Sequence, residues 1–212
     1  MKFHILNKYL AALSGLFLIL FLTGHLLGNL QLLIPESEGA KEQFNAYADF
    51  MQTNLAVQLL SYVTYVAILL HIFVTLKLTW FSKKNRGVAY KKSKSPTNAI
   101  SSKYMGILGT IILAFLIVHL SDFWFKAKFQ GNQDLYSLVM SKFQSPIHVI
   151  IYVVAMATIF LHLLHGFQSS FQSLGLINSQ TRKYIQIAGM VYSLLIPILF
   201  AIIPIWIYCG LN

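Results

Sequence analysis

The chain of 212 residues is 57% hydrophobic and only 10% charged. A soluble domain carries roughly a quarter charged residues, so an ordinary water-soluble globular protein is excluded. The net charge of +10 would suit nucleic acid in a soluble protein; here the basic residues are sorted by loop, and no nucleic-acid partner is expected.

Asp, Glu, Lys and Arg are absent from 9–35, 50–76, 104–121, 143–181 and 184–212. A membrane span needs about 20 apolar residues. The pattern predicts five transmembrane helices, at about 10–33, 55–80, 103–124, 147–171 and 184–208, joined by short loops. The expected fold is an all-α integral membrane bundle forming a single domain over 1–212.

The first apolar run follows Lys2 and Lys8, as in a signal peptide. It is too long for such a leader and no small-residue cleavage site follows it, so it is expected to remain as helix one. It contains "LTGHLLGN", with His25 between Gly24 and Gly28. Helix two contains "ILLHIF" with His71, and helix three ends in "FLIVHLSDFW" with His119 and then Asp122. Helix four contains "HLLHG", which places His162 and His165 one turn apart; His148 lies at its start. Helix five has no histidine but carries Pro197 and Pro204, whose kinks a membrane bundle tolerates. Tyr47, Tyr62, Trp80, Trp124, Tyr184, Trp206 and Tyr208 cluster near the helix ends, as expected of interfacial aromatic belts. The lone Cys209 cannot close an internal disulfide.

Charge sets the expected orientation. Twelve of the sixteen basic residues fall on the side of the N-terminus and of the loops 2–3 and 4–5, including the acid-free stretch "FSKKNRGVAYKKSKSPTN". All six acids fall on the opposite side, with Lys41, Lys126, Lys128 and Lys142. The positive-inside rule then puts the N-terminus in the cytoplasm and the C-terminus outside. The basic loop suits lipid head groups and a docked cytoplasmic protein.

An ionisable residue inside a span is costly and points to function; a neutral imidazole bonded to a neighbouring helix is the plainer alternative for any single one. Depth separates the candidates. At about 1.5 Å per residue, His25 and His119 lie in the outer half of the bilayer and His71 and His162 in the inner half. Paired imidazoles from facing helices suit the two axial positions of a haem iron, and ligation uses the neutral ring, which removes the cost of burying a charge. Small residues flank the histidines on the same helical faces: Ala155, Thr158 and Gly166 beside His162, Thr64, Ala67 and Thr75 beside His71, Gly28 beside His25, and Gly109 before His119. They offer room for a flat porphyrin, and equally serve close helix packing. Spacing alone does not choose between His162 and His165.

The segments "LTGHLLGN", "ILLHIF", "SSKYMGILGT…FLIVHLSDFW" and "HLLHGFQSSFQSLG" together resemble the single-chain, five-helix, dihaem cytochrome b subunit of succinate dehydrogenase and fumarate reductase (complex II) over nearly the whole chain. The family's fourth helix has a ligand histidine followed by Gly at the fourth and thirteenth positions after it. His162 with Gly166 and Gly175 matches this and His165 does not, which leaves His165 free to bond a haem propionate. The resemblance implies two haem b groups, the inner on His71 and His162 and the outer on His25 and His119. It implies electron exchange with a membrane quinone, menaquinone in the first instance. Succinate oxidation itself would belong to a flavoprotein and an iron–sulfur subunit docked on the cytoplasmic face of a bacterial inner membrane. Some relatives carry a buried glutamate two residues before the helix-four ligand; Phe160 stands there, and no span contains Glu, which puts such a proton path in doubt. Candidate partners of the inner haem's propionates are Lys103, Ser169, Ser170, Arg182 and Lys183. Candidates near the outer haem for quinone are Gln31, Asp49, Ser121 and Asp122, with Asn29; Asn29 and Gln31 equally serve to cap the end of helix one.

Rival functions make other demands. A metal transporter would add carboxylates to its histidines, and a membrane di-iron oxygenase would cluster its histidines on one side. The nearest rival is the dihaem cytochrome subunit of a hydrogenase or formate dehydrogenase, which shares the haems and differs in its soluble partner.

Overall fold

A computed structural model describes residues 2–84, 96–131 and 134–211, with side chains placed for 5–82, 104–131 and 134–211. Every regular element among the described residues is helical. In chain order these are α1 (Lys2–Asn29), α2 (Ala40–Thr53), α3 (Leu55–Lys84), α4 (Pro96–His119), α5 (Phe125–Phe129), α6 (Leu135–Phe143), α7 (Pro146–Ser173) and α8 (Arg182–Tyr208). Five stretches are long and apolar enough to cross a membrane: Ile5–Leu33, Leu55–Ser82, Tyr104–Phe129, Pro146–Ser173 and Arg182–Tyr208. The protein is thus a multi-pass helical membrane protein.

The surface is that of a chain solvated by lipid. Only 6% to 33% of each span's most apolar window is buried inside the protein, and Leu20, Leu69 and Phe73 project outward. Exposed apolar area on this scale is untenable in water and costs nothing in acyl chains.

Two of the connections expected as loops are partly helical. The segment between α1 and α3 holds α2, entered through Gly39, whose φ of 82° is the left-handed region that glycine adopts without strain. The segment between α4 and α7 holds α6, capped by Asp134, whose carboxylate accepts from Ser137 N–H at 3.0 Å. Their apolar residues had been too few for a span, yet Phe44 and Ala48 of α2 and Tyr136, Val139 and Phe143 of α6 are buried. The two helices pack together and lie across one end of the bundle, here called the capped end. Asn45 joins them, donating to Asp134 Oδ1 at 2.9 Å and accepting from Tyr136 N–H at 2.9 Å, and Lys41 pairs with Asp134 at 2.9 Å. The main apolar core sits at this end, from Leu26 and Leu32 through Phe44, Phe143 and Tyr152 to Ile196 and Ile207.

Four long helices form a ring. Helix α1 packs on α3 and on α7, α4 packs on α7, and α4 meets α3 over a shorter contact. Helix α8 lies outside, against α7 and α1. Among the described residues the pairs α1/α4 and α3/α7 make few or no close backbone approaches; they are the diagonals of the ring.

Candidate functional site

Each diagonal carries one histidine pair. His25 of α1 and His119 of α4 have ring centroids 5.8 Å apart and planes 86° apart. His71 of α3 and His162 of α7 have centroids 6.4 Å apart and planes 73° apart. Since these helices are not packed on one another, the imidazoles reach into the interior from opposite sides.

Two internal rulers give the separation of the pairs. Along α1, Ser14 touches His71 and His25 belongs to the other pair; eleven residues at 1.5 Å each make roughly 16 Å. Along α7, Tyr152 touches His119 and His162 belongs to the other pair; ten residues make roughly 15 Å. The pair His25/His119 lies toward the capped end and His71/His162 toward the far end.

Local contacts orient the rings. Ser14 Oγ lies 2.7 Å from Leu10 O and 3.2 Å from His71 Nδ1. A hydroxyl has one proton, and here it goes to the carbonyl, so Ser14 accepts from His71 Nδ1–H. That tautomer leaves the Nε2 lone pair free for a metal, the orienting arrangement typical of ligating histidines. Gly15 makes the approach possible, for a Cβ there would stand 3.3 Å from His71 Cε1. At the capped end His119 Nδ1 lies 3.5 Å from Tyr152 Oη, which donates to Asp122 Oδ2 at 3.2 Å. Asp122 is buried and paired with Lys142 at 2.6 Å. The π-helical turn Leu120–Trp124, in which Phe125 N–H reaches back to Leu120 O, carries Asp122 inward; such widened turns recur at functional sites. Phe21, Phe115, Phe123 and Phe200 ring this pair, each within 5.7 Å of one of the imidazoles.

The residues fit a metal held between two imidazoles. With metal–nitrogen bonds of about 2 Å and about 1 Å from each nitrogen to its ring centre, the two centres stand roughly 6 Å apart; both pairs match. Ordinary aromatic contacts span 4.5–7 Å, so distance alone does not decide. The diagonal placement and the Nε2 of His71 left free by its bond to Ser14 point to imidazoles aimed at something between them, whereas the buried Nδ1 of His162 has no hydrogen-bond partner to orient its ring. Among the described residues no group of three or more His, Cys, Asp or Glu could hold a metal. A porphyrin iron asks only two ligands of the protein.

The other predicted residues distribute unevenly. His162 is the ring against His71; His165 lies one turn further along α7. Gly166 has open space where a Cβ would stand. Gly28 does not provide room for a porphyrin: a Cβ there would fall on the Tyr47 phenol, so this glycine seats α2 against α1. Asn29 donates to His25 O at 2.7 Å and Gln31 to Gly28 O at 3.1 Å. Both tie off the end of helix one. Asp49 is exposed on α2. Ser121 lines an open groove of about 310 Å³ with Leu120, Trp124 and Phe125, beside the bond from Trp124 Nε1 to Tyr65 Oη at 2.8 Å. Ser170 donates to its own helix at Gly166 O, 2.9 Å away, and lies beside Gly15 and His71. Ser169 is half-buried on α7, Arg182 and Lys183 are exposed at the start of α8, and the side chain of Lys103 lies outside the described residues. Phe160 lines a wholly apolar groove between α7 and α8.

Sequence reasoning missed Ser14, Gly15, Tyr152 and Lys142. Ser14 and Gly15 carried a faint signal, as small residues in an otherwise bulky helix. Tyr152 and Lys142 became visible only when α6 and α7 were folded over Asp122. Comparison of the chain with protein-family models, with curated proteins and with solved structures finds no match to any of them.

Proposed function

We propose that this chain is a dihaem cytochrome b that links a membrane quinone to a soluble oxidoreductase, and specifically the membrane anchor of a succinate:quinone oxidoreductase. The observation that carries the reading is the placement of two histidine pairs, one across each diagonal of a four-helix ring and roughly 15 Å apart in depth. Two haem b groups bound there would supply one-electron carriers spanning much of the bilayer between soluble partner and quinone. His71 and His162 would hold one, His25 and His119 the other. The protein's own part is to keep these imidazoles neutral, correctly rotated and away from water, which Ser14, Tyr152 and the collar of phenylalanines do.

The charge distribution supports an orientation with the capped end outside and the basic loops in the cytoplasm. The far-end pair then lies nearer the flavoprotein and iron–sulfur subunits, whose docking face would include Arg182 and Lys183. Quinone would enter from the lipid at the capped end, where the groove of Leu120, Ser121, Trp124 and Phe125 opens. Its apolar walls suit the ring and tail, and Ser121 brings a hydroxyl to within two residues of His119.

The test is purification from haem-replete cells. We expect a reduced-minus-oxidised spectrum of b type, two haems per chain, and co-purification of a flavoprotein with an iron–sulfur subunit. A colourless preparation refutes the reading. A coloured one that brings a hydrogenase or a formate dehydrogenase keeps the haems and replaces the partner.

A further inference from the structure

We infer that Tyr152 is the positioning residue of His119, and that the chain Tyr152–Asp122–Lys142, buried at Tyr152 and Asp122, tunes the capped-end centre separately from the far one. The inference rests on the haem ligation proposed above.

The direction of each bond follows from proton counting. A carboxylate only accepts and a phenol has one proton. Asp122 accepts from Lys142 at Oδ1 and from Tyr152 at Oδ2. The phenol proton is thereby committed, and what Tyr152 Oη offers His119 is a lone pair. His119 must then carry its proton on Nδ1, which leaves Nε2 to ligate. Three elements converge to make this arrangement: the π-helical turn brings Asp122, α7 brings Tyr152 and α6 brings Lys142.

The two centres differ in kind. His71 leans on a serine whose proton goes to a backbone carbonyl, with no charge in that chain. His119 leans on a phenol held by a buried carboxylate. A ligating imidazole whose N–H is accepted by a polarised oxygen is a stronger donor to its metal, which favours the ferric form. The Tyr152–Asp122 link therefore lowers the reduction potential of the capped-end haem, and Lys142 limits the effect by balancing the carboxylate.

The test is a redox titration of both haems in the intact complex. Tyr152→Phe removes one oxygen and keeps the ring. We expect the capped-end haem to become easier to reduce, by about tenfold in the ferric/ferrous equilibrium or 59 mV for one electron, with the far haem unchanged. Asp122→Asn should shift the same haem in the same direction, and should add little in the Tyr152→Phe background because both act through one link. Because Tyr152→Phe keeps the ring and its packing, a selective shift reads the lost oxygen. Two haems with unshifted potentials in Tyr152→Phe overturn the inference and leave the ligation intact; so does a shift in Asp122→Asn that Tyr152→Phe fails to reproduce. A wild-type preparation without haem removes the ligation reading and this inference with it.

Discussion

Replacement of His71 by Ala is expected to remove one haem per chain and leave the other in place. The size of the effect follows from the spacing of the pairs. His71 meets α1 at Ser14, and His25, the histidine of the other pair on that helix, lies roughly 16 Å further along. Substitutions beyond 7–10 Å with no shared partner add within about 0.5 kcal/mol. The affinity of the capped-end centre should therefore change by no more than about twofold, while the far centre loses half of its protein ligands. Haem content should fall from two to one per chain by pyridine haemochrome, and a redox titration of the same sample should show a single component. His162→Ala should leave that same component, and His165→Ala should keep both. His25→Ala and His119→Ala should leave the other component. The reasoning fails if His71→Ala empties both centres, or if His71→Ala and His162→Ala leave different ones behind.

Three further outcomes are expected. Ser14→Ala takes the acceptor from His71 Nδ1–H, and loss of such a partner typically weakens metal binding 10–100-fold; the far haem should dissociate first when detergent-solubilised protein is diluted, with the capped-end haem retained. Gly28→Ala drives a Cβ into the Tyr47 phenol and should cost about 1–3 kcal/mol, as overpacking does; thermal unfolding should show the loss, and in a Tyr47→Ala background the same change should cost little. The Asp134 carboxyl is held below the usual carboxylate range, first by Ser137 N–H and then by Asn45 and Lys41. A depressed carboxylate stabilises the fold above its unfolded value near 3.9 and loses that contribution as pH falls below it. The contact between α2 and α6 should thus loosen under acid, modestly since both Lys41 and Asp134 are partly exposed. Limited proteolysis of α2 across pH should show it, with Asp134→Asn flattening the profile; identical profiles for the two proteins would count against the assignment.

The long helices were legible because lipid leaves a plain mark: charge-free runs of about 20 residues have no other economical fate. The separation of the histidines into two levels along the helices was legible too, since rise per residue converts sequence position to distance. What height could not tell was azimuth. Nothing in "ILLHIF" says whether His71 turns toward α4, α7 or the lipid. The structure turns it to His162 across the ring. The cap was missed for a related reason. Helices α2 and α6 are short and mixed in polarity, and their burial comes from each other and from the bundle end rather than from any period of their own. Gly28 shows the hazard of reading small residues by proximity. It lies one turn from His25, yet the ring it admits is Tyr47. Asp122 was a quinone candidate at the end of helix three, and only the widened turn and Lys142, twenty positions later, account for its burial.

The diagonal placement of the histidines has a mechanical side. Four rods joined only along neighbouring edges can skew like a hinged parallelogram. A tie across each diagonal, set at two heights, triangulates the frame against both skew and twist. Metal bridges at His25/His119 and His71/His162 would be such ties, so binding the proposed cofactors would also stiffen the bundle. Helix α8 carries no histidine and stands outside the frame, held instead by packing on α7 and by Tyr192, whose hydroxyl donates to Ile19 O of α1 at 2.6 Å.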